Sequence, residues 1–369
     1  MISRIARIHS FDLLRGYFLL VILIDHLAYF PSGFEVLTGR GLLYVSSAEG
    51  FFLISGIILG IVRGSKLIEK PFRIGAKLLL KRSLQLYVTS VVLTLLFTFI
   101  AWLFYMHSDG LKYGVAPITT SLPQLLWQTL TYQYVYGWAD FLRFYTLFIA
   151  AAPIALWLLR RGRWYVVMAA SLVVWWLYRL SPGEDLWEPL AWQLVFFSGF
   201  VIGFHWPQIV EWWHQIHIRW RNRIGIALLI SFIVTAGASA LLVFGDMLHV
   251  TNLSTLHRAI EPYFNKDSLP LPRLALGTIW FWGLFWLVRR YEAIVIKRIG
   301  WLLLPFGENS LYVYTIEAFV IFFFHIYLVQ AQPVEELAPW YINFLLTAVA
   351  ISIVWFMTRQ KVLFKIIPR

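Results

Sequence analysis

The chain has 369 residues, of which 60% are hydrophobic and only 14% are charged, and its mean hydropathy is +0.71. This composition leaves too little polar surface for a soluble globular protein and predicts a polytopic membrane protein. The absence of cysteine excludes disulfides, thiolate metal sites and a cysteine nucleophile. The formal net charge of +12 is explained by basic residues in the cytoplasmic connections of a membrane protein, so no nucleic-acid partner is expected.

Ten apolar runs approach the ~20 residues that a helix needs to cross a bilayer. They lie at 11–30, 45–62, 84–105, 141–159, 164–180, 190–205, 224–244, 274–288, 310–329 and 340–356. No soluble domain fits between them. We therefore predict an all-α membrane helix bundle with about ten transmembrane helices, forming a single domain over residues 1–369.

Basic residues are concentrated in alternate connections between these runs. These are 4–7, 63–82, 160–163, 219–223, 289–298 and 359–369. The positive-inside rule therefore predicts that these connections and both termini are cytoplasmic, in a multi-pass protein of the inner membrane.

The connections 31–44, 106–140, 181–189, 245–273 and 330–339 are then predicted to lie at the outer face. Two of them are long, and a substrate lid is one interpretation.

Two cytoplasmic stretches are expected to lie in the membrane interface. Arg63 to Arg82 alternates cations with apolar residues, as an amphipathic interfacial segment does. Trp206 to Trp220 gathers tryptophans and the histidines His214 and His217, which favours an aromatic anchor over a metal site.

The first run, FDLLRGYFLLVILIDHLAYF, carries Asp12, Arg15, Asp25 and His26. An Asp or Arg at the centre of the hydrocarbon costs ~2.5–3.5 kcal/mol on an insertion scale, so such groups need partners, water or a function. Eleven steps of 100° bring His26 within ~20° of the face of Arg15, and Asp12 lies within ~40° of the same face. The spacing predicts a polar stripe along one helix, with Asp25 about a quarter turn aside.

The second run, SSAEGFFLISGIILG, places Glu49 among apolar residues, and its Ser55-Gly56 step permits close helix contact. Glu49 is predicted at the depth of Asp25 and His26. A carboxylate beside an imidazole can orient it as the general base for an acceptor hydroxyl that attacks a carbonyl. The helical angle leaves open whether Asp25, Asp12 or Glu49 is the partner of His26. A buried polar network that only holds the bundle is the alternative.

At these residues the chain resembles the acyltransferase-3 superfamily, and more closely its OpgC branch. Arg15 and His26 match the family pattern of an Arg, ten residues and a His in the first span, and AEGFFLISG resembles the second-span signature. KRSLQLY, AWQLVFFSGFVIG and GENSLYVYTIE resemble later segments, so the resemblance covers most of the chain. Two positions depart from the pattern: Glu317 stands where many members have a His, and Arg143-Phe144 where OpgC proteins tend to have Leu-Pro.

The resemblance implies transfer of an acyl group, such as succinyl or acetyl, from cytoplasmic acyl-CoA to a hydroxyl of an envelope carbohydrate at the outer face. OpgC proteins are associated with O-succinylation of periplasmic glucans. No permanently bound cofactor or metal is expected. By position, the catalytic residues would be His26, Asp25 and Glu49, and the donor-binding residues would be Arg15, Asp12, Arg82 and Ser55. A succinyl carboxylate would need a further cation, for which the candidates are Arg40, Arg179 and Arg273.

Two other classes of function compete with this interpretation. A proton-coupled transporter or flippase of an envelope precursor could use the charged groups of the first run as a path, although paired broken helices in two halves are lacking. A non-catalytic partner in polysaccharide export would show no thermal shift with an acyl donor. The sequence does not predict the oligomeric state.

Overall fold

The computed structural model describes residues 7–104, 114–180, 187–329, 339–365 and 367. No β-strand occurs in these residues, which confirms the all-α class. Their helices are α1 (His9–Leu27), α2 (Glu35–Thr38), α3 (Ser47–Leu59), α4 (Phe72–Phe104), α5 (Leu122–Leu130), α6 (Asp140–Arg160), α7 (Trp164–Leu180), α8 (Pro189–Phe204), α9 (Trp206–Gln215), α10 (Ile218–Met247), α11 (Thr251–Ile260), α12 (Leu271–Arg290), α13 (Glu292–Glu308), α14 (Ser310–Val329) and α15 (Trp340–Arg359).

Among the described residues, six helices are long and apolar enough to cross a membrane: α3 with the turns that continue it to Leu67, α4, α6, α10, α12 and α15. The count rises to eight if two bent pairs each form one span, α8 with α9, which meet at 69°, and α13 with α14. These helices confirm a multi-pass membrane protein. The total of ten spans and the cytoplasmic termini stay predictions.

Each of the ten predicted runs coincides with a helix, but the helices α1 and α7 pass the same test neither alone nor as part of a bent pair. Helix α7 has only 17 residues, and α1 carries Asp12, Arg15 and Asp25. Most of the predicted outer connections at 181–189 and 330–339, and residues 105–113, lie outside the described residues.

The chain clusters into two compact units, and the single domain over 1–369 stays a prediction. Unit 1 comprises residues 1–22, 37–75 and 154–308, and unit 2 comprises 23–36, 76–153 and 309–369. The boundaries cut α1 after Ile22 and α6 after Pro153.

Unit 1 is packed through glycines that bring helix backbones together. Helices α3 and α8 meet at Gly56 and Gly60 on one side and Gly199 and Gly203 on the other. A Cβ added at any of the four would overlap a carbonyl oxygen of the facing helix. The close contact predicted from Ser55-Gly56 is thus confirmed, and it has the small-residue form common between membrane helices.

Helices α1 and α13 approach each other in the same way. A Cβ at Gly16 would overlap the carbonyl of Leu303, and a Cβ at Gly307 would overlap that of Asp12. The N-terminal part of α1 is therefore fixed against α13 by backbone contact. This contact sets the position of the side chains that α1 presents within unit 1.

Unit 2 is organised around a stripe of hydroxyl groups on α4. Ser83, Ser90, Thr94 and Thr98 are all buried, and their spacing places them on one face of the helix. The Ser83 hydroxyl donates to the carbonyl of Thr146 in α6, at 2.9 Å. The α4–α6 contact thus depends on side-chain hydrogen bonds.

The described part of the predicted outer connection, residues 114–139, packs along α4. The Trp102 indole donates to the carbonyl of Ala116 at 2.8 Å, and the Tyr87 hydroxyl donates to that of Leu130 at 2.7 Å. Trp102 and Tyr87 are about 22 Å apart along α4, and both fall in the predicted span 84–105. This part of the connection therefore lies beside a spanning helix, while the lid stays a prediction.

Helix α5, inside that connection, has nine residues and is ~13 Å long, too short to cross a bilayer. Its buried side chains are Leu125 and Thr129. The exposed side chains of α5 are mainly apolar, namely Leu122, Leu126, Trp127 and Leu130, and include the polar Gln124. An apolar outer face on a half-length helix beside α4 is the pattern of a re-entrant segment.

Candidate active site

The first turn of α1 is fixed by polar contacts within unit 1. The backbone N–H of Ser10 donates to Glu292 at 3.1 Å, and its hydroxyl donates to the same carboxylate oxygen. Asp12 accepts from Arg7 Nε at 2.6 Å, and this bond raises the pKa of Arg7 above its ordinary value. Arg7 also lies 3.3 Å from Glu308. Asp12 is thus engaged by a cation at the end of the helix where the macrodipole favours an anion.

Of the other predicted residues in unit 1, Arg15 and Ser55 are half-buried and Glu49 is buried. Glu49 lies in the first turn of α3, where it accepts from the backbone N–H of Ser46 at 3.0 Å and from its hydroxyl at 2.6 Å. These contacts form the carboxylate half of a capping box. Glu49 therefore stabilises the start of the helix that carries it.

Arg273 of α12 is the second partner of Glu49, and the two side chains are 4% and 5% exposed. The Arg273 Nε donates to Glu49 Oε1 at 2.5 Å, and its Nη1 donates to the carbonyl of Phe264 at 2.7 Å. A buried charge pair of this kind depends on such extra hydrogen bonds to offset desolvation. Sequence reasoning did not find this pairing, which joins residues 224 positions apart.

Asp25, His26 and Arg82 lie in unit 2. Asp25 and His26 occupy the last turn of α1, where the helix dipole favours a cation such as a protonated histidine. The His26 side chain is exposed, while Asp25 and Arg82 are half-buried. The candidate base is thus accessible at the end of a helix whose next residue, Leu27, is buried.

The C-terminal end of α1 is held by α14. The His325 Nε2 lies 3.3 Å from the carbonyl of Leu27, to which it can donate, and the Tyr29 hydroxyl donates to the carbonyl of Phe324 at 3.2 Å. Asn343 of α15 donates to the carbonyl of Pro31 at 3.0 Å. These three residues fix the backbone next to His26. Sequence reasoning missed them, although a histidine inside the apolar run 310–329 was an available signal.

The three carboxylates proposed as partners of His26 have different surroundings. Asp25 is its neighbour in the same turn of α1 and in the same unit. Asp12 is engaged by Arg7, and Glu49 by Arg273 and Ser46, both within unit 1. The catalytic and donor-binding roles of all these residues stay predictions.

Together, these features define an all-helical, multi-pass membrane protein whose first helix carries a row of ionisable side chains. A family model described as OpgC protein matches residues 7–365, so the chain belongs to the OpgC protein family. Membership confirms the resemblance seen in the sequence and supports a membrane acyltransferase-like function. Searches of the curated proteins and of the solved structures found no match.

Proposed function

We propose that the protein transfers an acyl group, succinyl or acetyl, from cytoplasmic acyl-CoA to a hydroxyl of a periplasmic carbohydrate. The observation that carries the proposal is an accessible His26 at the end of a continuous α1 that also holds Arg15, in a chain of the OpgC family. The donor would enter from the cytoplasmic side and the acceptor from the outer face.

In the proposed reaction, His26 removes the proton of the acceptor hydroxyl while its oxygen attacks the thioester carbonyl. The tetrahedral intermediate collapses with cleavage of the C–S bond. The CoA thiolate leaves and takes the proton from the imidazolium, which regenerates neutral His26. The products are an ester and free CoA, so no further reactant is needed.

We assign Asp25 as the carboxylate that orients His26 and stabilises the imidazolium, because it is the candidate in the same turn of α1. Asp12 would hold Arg7 at the start of the helix, next to the donor side. Glu49, placed among the catalytic residues by family position, would act through Arg273 as a positioning residue.

The donor-binding residues of the proposal are Arg15, Arg82 and Ser55, since a guanidinium matches a phosphate or carboxylate with two parallel hydrogen bonds. For a succinyl carboxylate, fewer residues are available as the further cation. Arg273 is engaged by Glu49 and Phe264, which favours Arg40 or Arg179. The Arg179 guanidinium lies 5.2 Å from the centre of the Trp175 ring, within the range of a cation–π contact.

The test is a His26→Ala chain in proteoliposomes supplied with acyl-CoA and a soluble glucan, with His214→Ala as the control because His214 is exposed on α9. We expect His26→Ala to lower ester formation by ~10²–10⁴-fold, the contribution of a general base. Mass spectrometry of the glucan and release of CoA are the readouts. Unchanged acylation in His26→Ala would refute the mechanism. Export of a precursor without a thioester would favour the transporter class instead.

A further inference from the structure

The proposed base, His26, stands in the last turn of α1, where a helix leaves carbonyl groups without partners inside the helix. The carbonyl of Ile24 accepts from the backbone N–H of Ala28, at 3.3 Å. Leu27, the last residue of the helix, is only 1% exposed, so its carbonyl has little access to water. A buried carbonyl without a donor is destabilising. The end of α1 therefore needs a donor from another element.

The backbone just after α1 is in a conformation that depends on its surroundings. Ala28 has a φ of +56°, in the left-handed region that favours glycine. Helices commonly end with such a residue, but here the residue carries a Cβ. A non-glycine residue persists in this region where neighbouring contacts hold it. The direction in which the chain leaves α1 is therefore fixed by tertiary contacts.

Helix α14 supplies two of these contacts, which run in opposite directions. Nε2 of His325 lies 3.3 Å from the carbonyl oxygen of Leu27. A carbonyl oxygen only accepts, so the ring nitrogen is the donor. In return, the Tyr29 hydroxyl donates to the carbonyl of Phe324, at 3.2 Å. The left-handed turn at Ala28 thus has a hydrogen bond to α14 on each side of it.

We propose that His325 is a positioning residue for His26. By holding the last carbonyl of α1, its ring fixes the backbone of the turn that carries His26, and this backbone sets the direction of the exposed imidazole. The contact of His325 is with the main chain of Leu27 and not with the reacting groups. Its effect on the rate follows from alignment, since a misplacement of about 1 Å can cost ~10²-fold. The inference rests on the proposed function for the reaction that His26 carries out.

The experiment uses the full chain in nanodiscs and two substitutions of one residue. His325→Phe keeps an aromatic ring and removes the donor, whereas His325→Gln places an amide N–H near the position of Nε2. Hydrogen exchange of peptides that cover the end of α1 is followed by mass spectrometry. The kcat and both KM values are measured with acyl-CoA and a neutral gluco-oligosaccharide, and kcat is referred to the folded fraction of each sample.

His325→Phe should speed amide exchange at the end of α1 by about fivefold, the factor for one net hydrogen bond. It should lower kcat by roughly 10–100-fold, because the base is no longer aligned, and leave both KM values unchanged. His325→Gln should recover most of both losses, which a merely space-filling role of the ring does not predict.

The matched control is His205→Phe at the end of α8 in unit 1. There a ring nitrogen, Nδ1, also lies 3.0 Å from a backbone carbonyl, that of Val201. The substitution removes the same kind of contact from a helix that does not carry the base. It should change neither kcat nor the exchange at the end of α1.

If His325→Phe does not fold, Tyr29→Phe decides, because it removes only the hydroxyl of the opposite hydrogen bond. It should speed exchange at the end of α1 and lower kcat, each by about threefold. A folded His325→Phe chain with the kcat of the wild type, or with its exchange at the end of α1, would overturn the positioning role.

The two proposals fail separately. A wild type that transfers no acyl group would refute the proposed function, while exchange in His325→Phe would still show whether the ring holds the end of α1. A wild type that acylates the oligosaccharide no faster than His325→Phe would refute the positioning role alone.

Discussion

Units 1 and 2 both consist of apolar helices. Within each unit, however, the helices pack against one another through different kinds of contact. In unit 1, glycines such as Gly56 and Gly203 let helix backbones touch, and its buried Glu49 is paired with Arg273. In unit 2, the helices meet through hydroxyls and rings, and Glu317 lacks a hydrogen-bond partner among the described residues. Backbone contact leaves no room for adjustment, whereas hydroxyl contacts can exchange partners. The helix contacts of unit 1 should therefore tolerate added volume less well than those of unit 2.

The largest expected effect concerns the buried pair of unit 1. Arg273→Met should lower the free energy of unfolding by ~3–5 kcal/mol, because it leaves the Glu49 charge buried without its cation. Combining it with Glu49→Gln should recover part of the loss. Thermal unfolding in detergent measures both. An Arg273→Met variant as stable as the wild type would show that the Glu49–Arg273 pair does not stabilise unit 1.

The glycine contact of α3 and α8 gives the next effect. Gly203→Ala places a methyl group on the backbone of Ile57, so we expect a loss of ~1–3 kcal/mol or more. Gly237 of α10 is the control, since an added Cβ there meets nothing within 4 Å. Gly237→Ala should be neutral or stabilising by up to ~1 kcal/mol, as expected from helix propensity. Equal behaviour of the two variants would contradict packing through glycine.

A smaller effect is expected from a single hydroxyl of unit 2. The Tyr132 hydroxyl lies 3.2 Å from that of Thr146, and both residues are buried. Tyr132→Phe should cost ~0.5–1.5 kcal/mol, one net hydrogen bond. Tyr263→Phe, at a 61% exposed position, should cost nothing measurable. If Tyr132→Phe lowered the free energy of unfolding as much as Gly203→Ala does, the proposed difference in packing between the two units would be contradicted.

The smallest effect is a pH dependence at the loop of unit 2 that follows α1. Burial acts to raise the pKa of Glu35, but hydrogen bonds from its own backbone, from Ser32 and from Gly33 outweigh it and lower the pKa. A lowered folded-state pKa gives stability that is present above the unfolded-state pKa and lost as the pH falls through the folded-state value.

Glu35→Gln should therefore destabilise by a few tenths of a kcal/mol at neutral pH, since the group is partly exposed. The difference from the wild type should vanish in acid. Unfolding curves of both chains at neutral and acidic pH check this, and a constant difference would show that the charge plays no part.

Much of the fold was predictable because hydrophobicity and charge act locally. Each predicted apolar run lies on a helix, and Ser55-Gly56 marked a real backbone contact. Arg15 and His26 do share one uninterrupted helix. The break between α8 and α9 had a local signal too, since Pro207 is suited to the first turn of a new helix.

What the sequence did not predict depends on partners far along the chain. The pairing of Glu49 with Arg273 in α12 was not predicted, because the two residues are 224 positions apart. His325 was not considered for the end of α1, because nothing local connects it with Leu27. The way in which helices pack decides which side chains meet across a bundle. The hydrophobic periodicity of the sequence does not predict that packing.

Helix α5 has a consequence for how the protein is made. A nine-residue apolar helix is too short to enter a bilayer stably by itself, and its flanking backbone needs hydrogen-bond partners there. Tyr87 and Trp102 of α4 supply such partners at the two ends of the connection. Helix α5 can therefore take up its position only after α4, which precedes it in the chain, has formed.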